Sequence, residues 1–371
     1  MPTFSPHEIL TLIDQQPRYE LGDSIGPSLR LADLLSPELA DLELGYGTGA
    51  GDAELRRAIA ERYGVGPDDV VVTVGGVHGV FLLSYLLVEP GAQVVMTAPL
   101  FPITRTIVES LGADVRVVPL TFDEGYRLTA DAVRAHLTPD TRLVSLTTPQ
   151  NPSGVAIPLS TLREVAHAMA EICPTASLLV DDTYRTAVYG DAPLAHPAVS
   201  LGPRVVSVAS VSKCHGAAGL RIGWVVTTDA ELVAALIMAK AKTVISHSPV
   251  SEALALRLFA REDEILAERR SWLAENLAMT EDWVRANSDL VEWVRPDAGA
   301  TCAIRLGPAV DLDRFRQETA ELGAHLAHGE WFDDVPNVSY LGFGFLPPAD
   351  LKGALDALRR ALLASCVRRA G

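Results

Sequence analysis

Lysine is scarce in this sequence. Only four of its 371 residues are lysine, at positions 213, 240, 242 and 352, whereas arginine is frequent. Arginine keeps its proton near neutral pH and cannot act as an amine nucleophile, but lysine can lose its proton and form imines with carbonyl groups. A lysine that persists in an arginine-rich composition therefore directs attention to chemistry that arginine cannot perform.

Cysteine, positive charge and long apolar runs are also in short supply. The four cysteines are scattered without a C-x-x-C pair, which indicates neither a zinc site nor a disulfide framework and favours a reducing, cytoplasmic setting. The formal net charge of −16 argues against non-specific binding to nucleic acid. Apolar runs such as residues 80–88 are too short to span a bilayer, and no signal-peptide pattern is visible. We therefore expect no metal, nucleic-acid partner or membrane partner.

The length and the apolar content indicate a globular chain with more than one core. A chain of 371 residues is too long for one simple core, and a hydrophobic fraction of 48% argues against disorder. Strand and helix patterns alternate from residue 69 to 227, which predicts a mostly parallel sheet with crossover helices. From about residue 290, shorter strands and helices indicate a smaller α/β domain.

Lys213 lies in the segment SVSKCHGAAGLRIGW at residues 210–224. Its pattern, S-x-S-K-x-x-G-x-x-G-x-R-x-G, resembles the lysine segment of the aminotransferase class I/II family, the fold-type I pyridoxal 5′-phosphate (PLP) enzymes. In that family the lysine holds PLP covalently. The resemblance implies that Lys213 is the catalytic lysine and that Ser210 and Arg221 bind the cofactor phosphate. The alternative is a surface lysine in a glycine-rich loop.

A second phosphate contact is expected after the strand predicted at residues 69–74. Gly75 and Gly76 follow that strand and precede an apolar helix predicted at residues 77–87. Unobstructed backbone N–H groups and the positive end of a helix make a cradle for an anion. The family places the PLP phosphate at this point, so the resemblance implies contacts from Gly75, Gly76 and Val77. An ordinary turn would use the same glycines.

Three segments resemble the parts of the family that hold the cofactor ring. Phe101 follows a strand predicted at residues 93–98, where the family stacks an aromatic on the pyridine ring. Asn151 begins N-P-S-G, which resembles the N-P-x-G signature, and is expected near the phenolic oxygen and the substrate carboxylate. Asp181 and Tyr184 match the D-E-x-Y motif, in which the acid pairs with the pyridine nitrogen and the tyrosine bonds the phenolic oxygen. Plain packing and turn formation are the alternatives for Phe101 and Asn151.

Two adjacent acids end the strand predicted at residues 177–180. A buried carboxylate beside the ring nitrogen would keep the ring protonated, which is the state that withdraws electrons. Because successive strand side chains point to opposite faces, Asp181 and Asp182 are not expected to share one role. We assign the cofactor contact to Asp181 and a structural role to Asp182, which departs from the family's usual glutamate.

Contacts from a neighbouring subunit are also implied by the resemblance. Tyr46 begins a segment similar to the family's Y-x(4)-G-x(3)-L-R, whose tyrosine reaches the PLP phosphate of the partner. The helix break at residues 246–249 resembles a segment near the partner's site, which Lys242 and His247 can line. A homodimer with shared active sites follows as an expectation. A core tyrosine, and surface positions for Lys242 and His247, are the alternatives.

The family usually carries an arginine near the C-terminus that binds the substrate α-carboxylate as a bidentate pair. Tyr340 stands at that place here, and no arginine lies between Arg316 and Arg359. The substrate can lack the carboxylate, present it to another cation, or be held by its distal part. We therefore hypothesise that the chain is not a standard α-amino-acid:2-oxoglutarate aminotransferase. The alternative cations are Arg185, Lys242 and Arg305, and the expected substrate contacts are Tyr340, Asn151, Ile25 and Gly26.

The resemblance covers about residues 40–365 and implies a fold-type I α/β architecture with a mostly parallel seven-stranded sheet. We expect an N-terminal arm at 1–45, a large PLP-binding domain at 46–285 and a small C-terminal domain at 286–371. The expected function is aminotransferase-like chemistry on an amino acid or another amino-bearing metabolite. The alternatives are a PLP lyase, an oxidative, decarboxylating or cyclising enzyme of specialised metabolism and, remotely, a non-catalytic PLP-binding regulator.

Overall fold

The computed structural model describes residues 17–25 and 27–366. Gly26, one of the expected substrate contacts, lies outside the described residues, as does the amphipathic stretch at residues 6–15. No helix in the described part of the chain is long and apolar enough to cross a membrane.

Twelve strands and eleven α-helices are present in the described residues. The strands are β1 (Tyr19–Leu21), β2 (Val70–Val74), β3 (Gln93–Ala98), β4 (Asp114–Pro119), β5 (Thr141–Thr147), β6 (Ser177–Asp181), β7 (Val205–Ser210), β8 (Ile222–Val226), β9 (Val291–Val294), β10 (Thr301–Leu306), β11 (Ala324–His328) and β12 (Val338–Gly342). The helices are α1 (Leu31–Leu34), α2 (Ala53–Tyr63), α3 (Gly75–Leu87), α4 (Ile103–Ser110), α5 (Ala130–Arg134), α6 (Leu159–Ile172), α7 (Ala230–Thr243), α8 (Pro249–Ala260), α9 (Glu262–Ala286), α10 (Leu312–Glu321) and α11 (Pro348–Ser365).

The first sheet has seven strands in the order β2-β8-β7-β6-β5-β3-β4. All its strands run in the same direction except β8, which is antiparallel to both of its neighbours. Strands β3, β7 and β8 are buried along their whole length, as expected for strands with helices on both faces. The predicted α/β fold class with a mostly parallel seven-stranded sheet is confirmed.

Helix α2 shows how local sequence fixes an element and its packing. The Asp52 side chain caps the helix by accepting a hydrogen bond from the backbone N–H of Leu55 at 2.9 Å. Leu55, Ile59 and Tyr63 lie on the buried face, as the helical spacing predicts. Gly64 ends the helix with φ of 67°, a left-handed conformation that glycine adopts without steric cost.

The second sheet has five strands in the order β1-β11-β12-β10-β9. Strand β1, from the N-terminal segment, pairs in parallel with β11, although about 300 residues separate the two strands in the chain. Strand β11 is not predicted from the sequence, because its residues AHLAH contain no β-branched side chain. Strand β12 ends at Gly342. The domain boundaries proposed from the sequence remain a prediction.

Gly342 lets the N-terminal segment approach the second sheet closely. A Cβ atom at this position would lie 1.9 Å from the backbone carbonyl oxygen of Asp23, which is impossible without a shift of the backbone. Any side chain at residue 342 would therefore displace the segment that carries Asp23. This contact places the residues after β1 against the end of β12 and beside the first sheet.

Helix α3 begins two residues earlier than the sequence predicts. Gly75 and Gly76 form its first turn and are not a separate loop before it. Gly75 has φ of 74°, and the Thr73 hydroxyl donates a hydrogen bond to its carbonyl at 2.9 Å. A Cβ at Gly223 of strand β8 would lie 2.3 Å from the Gly75 carbonyl carbon, so glycine at both positions brings β8 against the helix start.

Candidate active site

A cavity of about 380 Å³ opens where β5, β6 and β7 end. The carboxyl ends of parallel strands meet at one edge of a sheet, so residues that are far apart in sequence come together there. Of the residues predicted from the sequence, the cavity lining includes Ile25, Gly76, Val77, Phe101, Asn151, Asp181, Tyr184, Ser210, Lys213, Arg221 and Tyr340. Gly75 and Tyr46 are not in this lining.

Lys213 follows β7 and lies inside the cavity. Its Nζ atom is 3.2 Å from Oδ1 of Asp23, which reaches the site from the N-terminal segment. Burial disfavours the ammonium form, but the Tyr184 oxygen and the carboxylates of Asp23 and Asp181 outweigh burial and raise the pKa of Lys213. The amine is thus a cation in this arrangement and is held by the carboxylate of Asp23, which no motif in the sequence indicates.

The two acids that end β6 point to different surroundings. Asp181 lines the cavity, and its Oδ1 accepts a hydrogen bond from the Thr183 backbone N–H at 3.0 Å. Burial raises the pKa of Asp181, and the Thr183 contact and Lys213 oppose this. Asp182 does not line the cavity and accepts a hydrogen bond from the Tyr63 hydroxyl at 2.8 Å. Burial raises the pKa of Asp182 to about 7.

Tyr63 and Arg185 surround Asp182 on that side of the sheet. The Trp224 indole N–H donates to the Tyr63 hydroxyl at 3.0 Å. Arg185 lies with its guanidinium carbon 4.9 Å from the centre of the Tyr63 ring and with Nε 3.9 Å from Asp182. Asp182 therefore belongs to a buried polar network of its own, and its side chain is separate from the cavity.

Tyr184 is buried, and its hydroxyl forms a short hydrogen bond with the hydroxyl of Ser24. Burial raises the pKa of Tyr184 to about 12, so the phenol is neutral at ordinary pH. Ser24 lies in the N-terminal segment and is buried as well. The sequence gives no signal for this contact, because 160 residues separate the two hydroxyls.

Arg221 lines the cavity beside the start of α3, where its Nη2 atom is near the Val74 carbonyl. It adopts φ of 54°, which is uncommon for a residue with a side chain. A Cβ at Gly75 would lie 2.3 Å from Nη2 of Arg221, so only glycine leaves room for the guanidinium. This explains how Gly75 contributes to the site without lining the cavity.

His247 fixes the backbone of Arg221. The Nε2 atom of His247 donates a hydrogen bond to the Arg221 carbonyl at 2.8 Å, and the histidine is 5% exposed. The surface position weighed for His247 is therefore wrong, because its ring is buried against the chain's own Arg221. Lys242 is exposed. Tyr46 is 84% exposed, which excludes a core position in this chain.

Tyr340 is fully buried and lines the cavity, but its hydroxyl is already engaged. Oδ2 of Asp334 accepts hydrogen bonds from the Tyr340 hydroxyl at 2.5 Å and from the Tyr126 hydroxyl at 2.6 Å. Burial raises the pKa of Tyr340 well above its ordinary value. The side chain is thus a neutral wall of the cavity, with no charge to offer a carboxylate.

None of the cations considered in place of the missing arginine lines the cavity in the described part of the chain. Arg185 packs over Tyr63 beside Asp182. Arg305 lies at 2.7 Å from Asp123 and 2.5 Å from Glu292. Lysine and arginine in the lining are limited to Lys213 and Arg221 among the described residues.

The lining has the chemistry that PLP requires. Arg221, the Ser210 hydroxyl and the first turn of α3 offer positive charge and N–H groups suited to a phosphate. The amine of Lys213 and the buried carboxylate of Asp181 line the same cavity. A side chain at residue 75 would occupy the space of the Arg221 guanidinium, so the glycine there supports the same fit.

Comparison with known proteins agrees with this geometry. The sequence profile described as "Aminotransferase class I and II" matches residues 38–333. Capreomycidine synthase of Streptomyces vinaceus is 30% identical over 327 residues, which cover 88% of this chain and 82% of that protein. The crystal structure of a PLP-dependent aminotransferase from Streptococcus suis superimposes with a TM-score of 0.89 at 25% identity and covers 99% of this chain and all of that one.

A second solved structure, that of the PLP-dependent cyclase OrfR, has a TM-score of 0.85 at 26% identity and covers 97% of both chains. The matched family segment contains every motif from Tyr46 to Arg221, and the structural likeness extends over the second sheet. This chain therefore belongs to the aminotransferase class I and II family and is a PLP-dependent enzyme.

Proposed function

We propose that this enzyme performs aminotransferase-like chemistry at the amino-bearing carbon of a substrate that it does not hold through the family's usual carboxylate-binding arginine. The observation that carries the proposal is the meeting of Lys213 and Asp181 in one cavity, with Arg221 at its phosphate end. Bound PLP supplies an electron sink for the negative charge that develops at the substrate Cα. The residues of this chain bind, orient and move protons around it.

Each lining residue has a distinct task in this proposal. Arg221, Ser210 and the backbone of Gly76 and Val77 hold the phosphate by charge and hydrogen bonds. Asp181 holds the proton on the pyridine nitrogen, and its burial strengthens that pairing because water is excluded. The side chain of Phe101 packs on the cofactor ring.

The remaining groups act where the bond to hydrogen breaks. Tyr184 and Asn151 would hydrogen-bond to the phenolic oxygen of bound PLP, and Ser24 orients the Tyr184 hydroxyl. Lys213 would take and return the proton of the substrate Cα as general base and acid. The base must be neutral when it takes the proton, so the contact with Asp23, which favours the ammonium, has to be released at that stage.

A cyclising or eliminating enzyme is the second candidate. Two of the similar proteins carry the names capreomycidine synthase and PLP-dependent cyclase, and each covers most of this chain. The same lysine and carboxylate serve all of these reactions, because each begins with loss of a proton or group from the substrate. Half-reactions that are monitored for pyridoxamine phosphate distinguish the two, since only transamination leaves the amino group on the cofactor.

We further propose a homodimer with active sites at the subunit interface. Leu44 and Tyr46 are 78% and 84% exposed, so an apolar and an aromatic side chain project from one loop. The resemblance gives the tyrosine of this loop a contact with the partner's cofactor phosphate. Sedimentation of the holoenzyme should give twice the chain mass, and Tyr46→Phe should weaken PLP binding without dissociating the dimer. Full activity in a species of monomeric mass would contradict this.

The covalent role of Lys213 can be tested by trapping. Borohydride reduction of the holoenzyme should fix the cofactor on one peptide, the one containing Lys213, and Lys213→Ala should abolish both the adduct and its absorbance band. The reason is that Lys213 is the lysine that lines the cavity in the described residues. Lys240→Ala is the matched control, and recovery of the label on Lys240 or Lys242 would show the assignment to be wrong.

Asp181 and Asp182 should separate activity from stability. Asp181→Ala should lower kcat roughly a hundredfold or more, the scale expected when a group that stabilises developing charge is lost. Asp182→Ala should leave the Tyr63 hydroxyl without its acceptor and lower the free energy of unfolding by about 1–3 kcal/mol, with a smaller effect on kcat. Denaturant titration and steady-state kinetics measure both quantities. Equal losses of kcat would refute the division of roles.

Because the family's carboxylate-binding arginine is missing, we expect the enzyme to have an unusual preference among amino donors. Common neutral and acidic L-amino acids, offered with 2-oxoglutarate or pyruvate, should react poorly because Tyr340 offers no charge to their carboxylate. A neutral phenol cannot replace charge-assisted hydrogen bonds, each worth roughly 1.5–3 kcal/mol. Turnover with a KM in the usual range of about 1 μM to 1 mM would show that another group compensates.

A further inference from the structure

The charges of the cavity are unevenly distributed once the proposed cofactor contacts are assigned. The described lining contains two cations, Lys213 and Arg221, and three carboxylates, Asp181, Asp23 and Glu20. Under the proposed function, Lys213, Arg221 and Asp181 are engaged with PLP. Arg221 binds the phosphate and Asp181 the ring nitrogen. The charge that remains for a substrate is negative and lies on the N-terminal segment.

Asp23 has a partner that it loses when the enzyme is loaded. Its Oδ1 atom receives the Lys213 ammonium at 3.2 Å and the Ser24 backbone N–H at 2.5 Å. A lysine that is covalently bound to the cofactor no longer presents an ammonium to Asp23. The Asp23 side chain is 43% exposed, so a cation that replaces the lysine gains an interaction that water partly screens.

The position of Asp23 is fixed by the fold. Its carbonyl oxygen rests against Gly342 of β12, where no side chain would fit. The next residue, Ser24, is tied to Tyr184 through their hydroxyls. The backbone that carries the Asp23 carboxylate is thus held by contacts at Asp23 and at Ser24, beside the Lys213 amine. The contact with Lys213 also shows that this place accepts a primary ammonium.

Glu20 is a neighbouring carboxylate that already has partners. Its Oε1 atom accepts a hydrogen bond from the Gly22 backbone N–H at 2.7 Å and lies 3.2 Å from Nδ1 of His325. Neither contact involves Lys213. Glu20 therefore provides a matched control on the same segment and in the same cavity lining.

We propose that Asp23 is a specificity-determining residue that binds a second cationic group of the substrate, which is therefore a diamine or a basic amino acid with an ammonium or guanidinium on its side chain. This inference rests on the proposed function. Apolar side chains of the same cavity, such as Leu100, Phe101 and Phe332, can pack against the aliphatic stem of such a substrate. The same carboxylate repels acidic side chains, so selection acts in both directions.

Matched pairs of compounds test the proposal on the holoenzyme. L-arginine is compared with L-citrulline and L-lysine with L-norleucine, because each pair differs chiefly in the side-chain cation. Dissociation constants from cofactor absorbance, together with KM and kcat, should favour the cationic member roughly 10- to 100-fold. Agmatine and cadaverine, which lack the α-carboxylate, decide between the diamine and the amino acid.

Variants of the two carboxylates then locate the effect. Asp23→Asn should reduce the preference within each pair to near unity, because it should weaken the cationic member much more than the neutral member. Glu20→Gln should keep the preference. If Asp23→Asn lowers kcat equally for both members, the residue serves Lys213 and not the substrate, and the proposal is overturned. A wild-type enzyme without preference in any pair overturns it as well.

The outcome is separable from that of the proposed function. Trapping of the cofactor on Lys213 reports whether the chain forms the loaded enzyme and does not depend on any substrate. A holoenzyme that traps normally but shows no cation preference refutes only the role of Asp23. A chain that fails to trap refutes the proposed function itself.

Discussion

The burial of two adjacent carboxylates at the end of β6 is the constraint on which the site depends. Side by side in one environment, the charges of Asp181 and Asp182 would repel each other and both would lose hydration. The alternation of a strand separates them. Asp182 accepts a hydrogen bond from the Tyr63 hydroxyl, and Asp181 faces the cavity and accepts one from the Thr183 backbone N–H. One acid therefore belongs to a structural network, and the other remains available to the cofactor.

Close backbone approaches assemble the rest of the cavity around that carboxylate. Gly223 and Gly75 bring strand β8 against the start of α3, and the missing side chain of Gly75 leaves space for the Arg221 guanidinium. Gly342 does the same at the other end, where it admits the backbone of Asp23. Glycine is needed at these positions because another part of the chain lies where a side chain would be. A preference for glycine in turns does not by itself explain these three positions.

The cavity that results has a polarity of its own. Arg221 brings positive charge to the lining, while the N-terminal segment contributes the carboxylates of Glu20 and Asp23. Tyr340, which we propose stands in place of the family's usual arginine, has its hydroxyl bound to Asp334. Under the proposed function, the features shared with the family serve the cofactor and the departures from it affect the substrate.

The sequence by itself determined the α/β class and most strands and helices, which follow from hydrophobic periodicity and turn residues. Its motifs, through their resemblance to the family, also identified lining residues such as Phe101, Asp181 and Lys213. Short-range patterns carry this information because the parallel strands then bring the motif-bearing ends to one edge.

Only the tertiary structure decided the pairing of β1 with β11, the contact of Asp23 with Lys213, the bond between Ser24 and Tyr184, and the support of Arg221 by His247. The first three join residues that are far apart in the chain. The last joins Arg221 and His247, which lie before and after helix α7. In the sequence, a short polar residue such as Asp23 is typical of a turn. Its contact with Lys213 depends on how the two sheets pack, and packing between distant segments leaves no local pattern in the sequence.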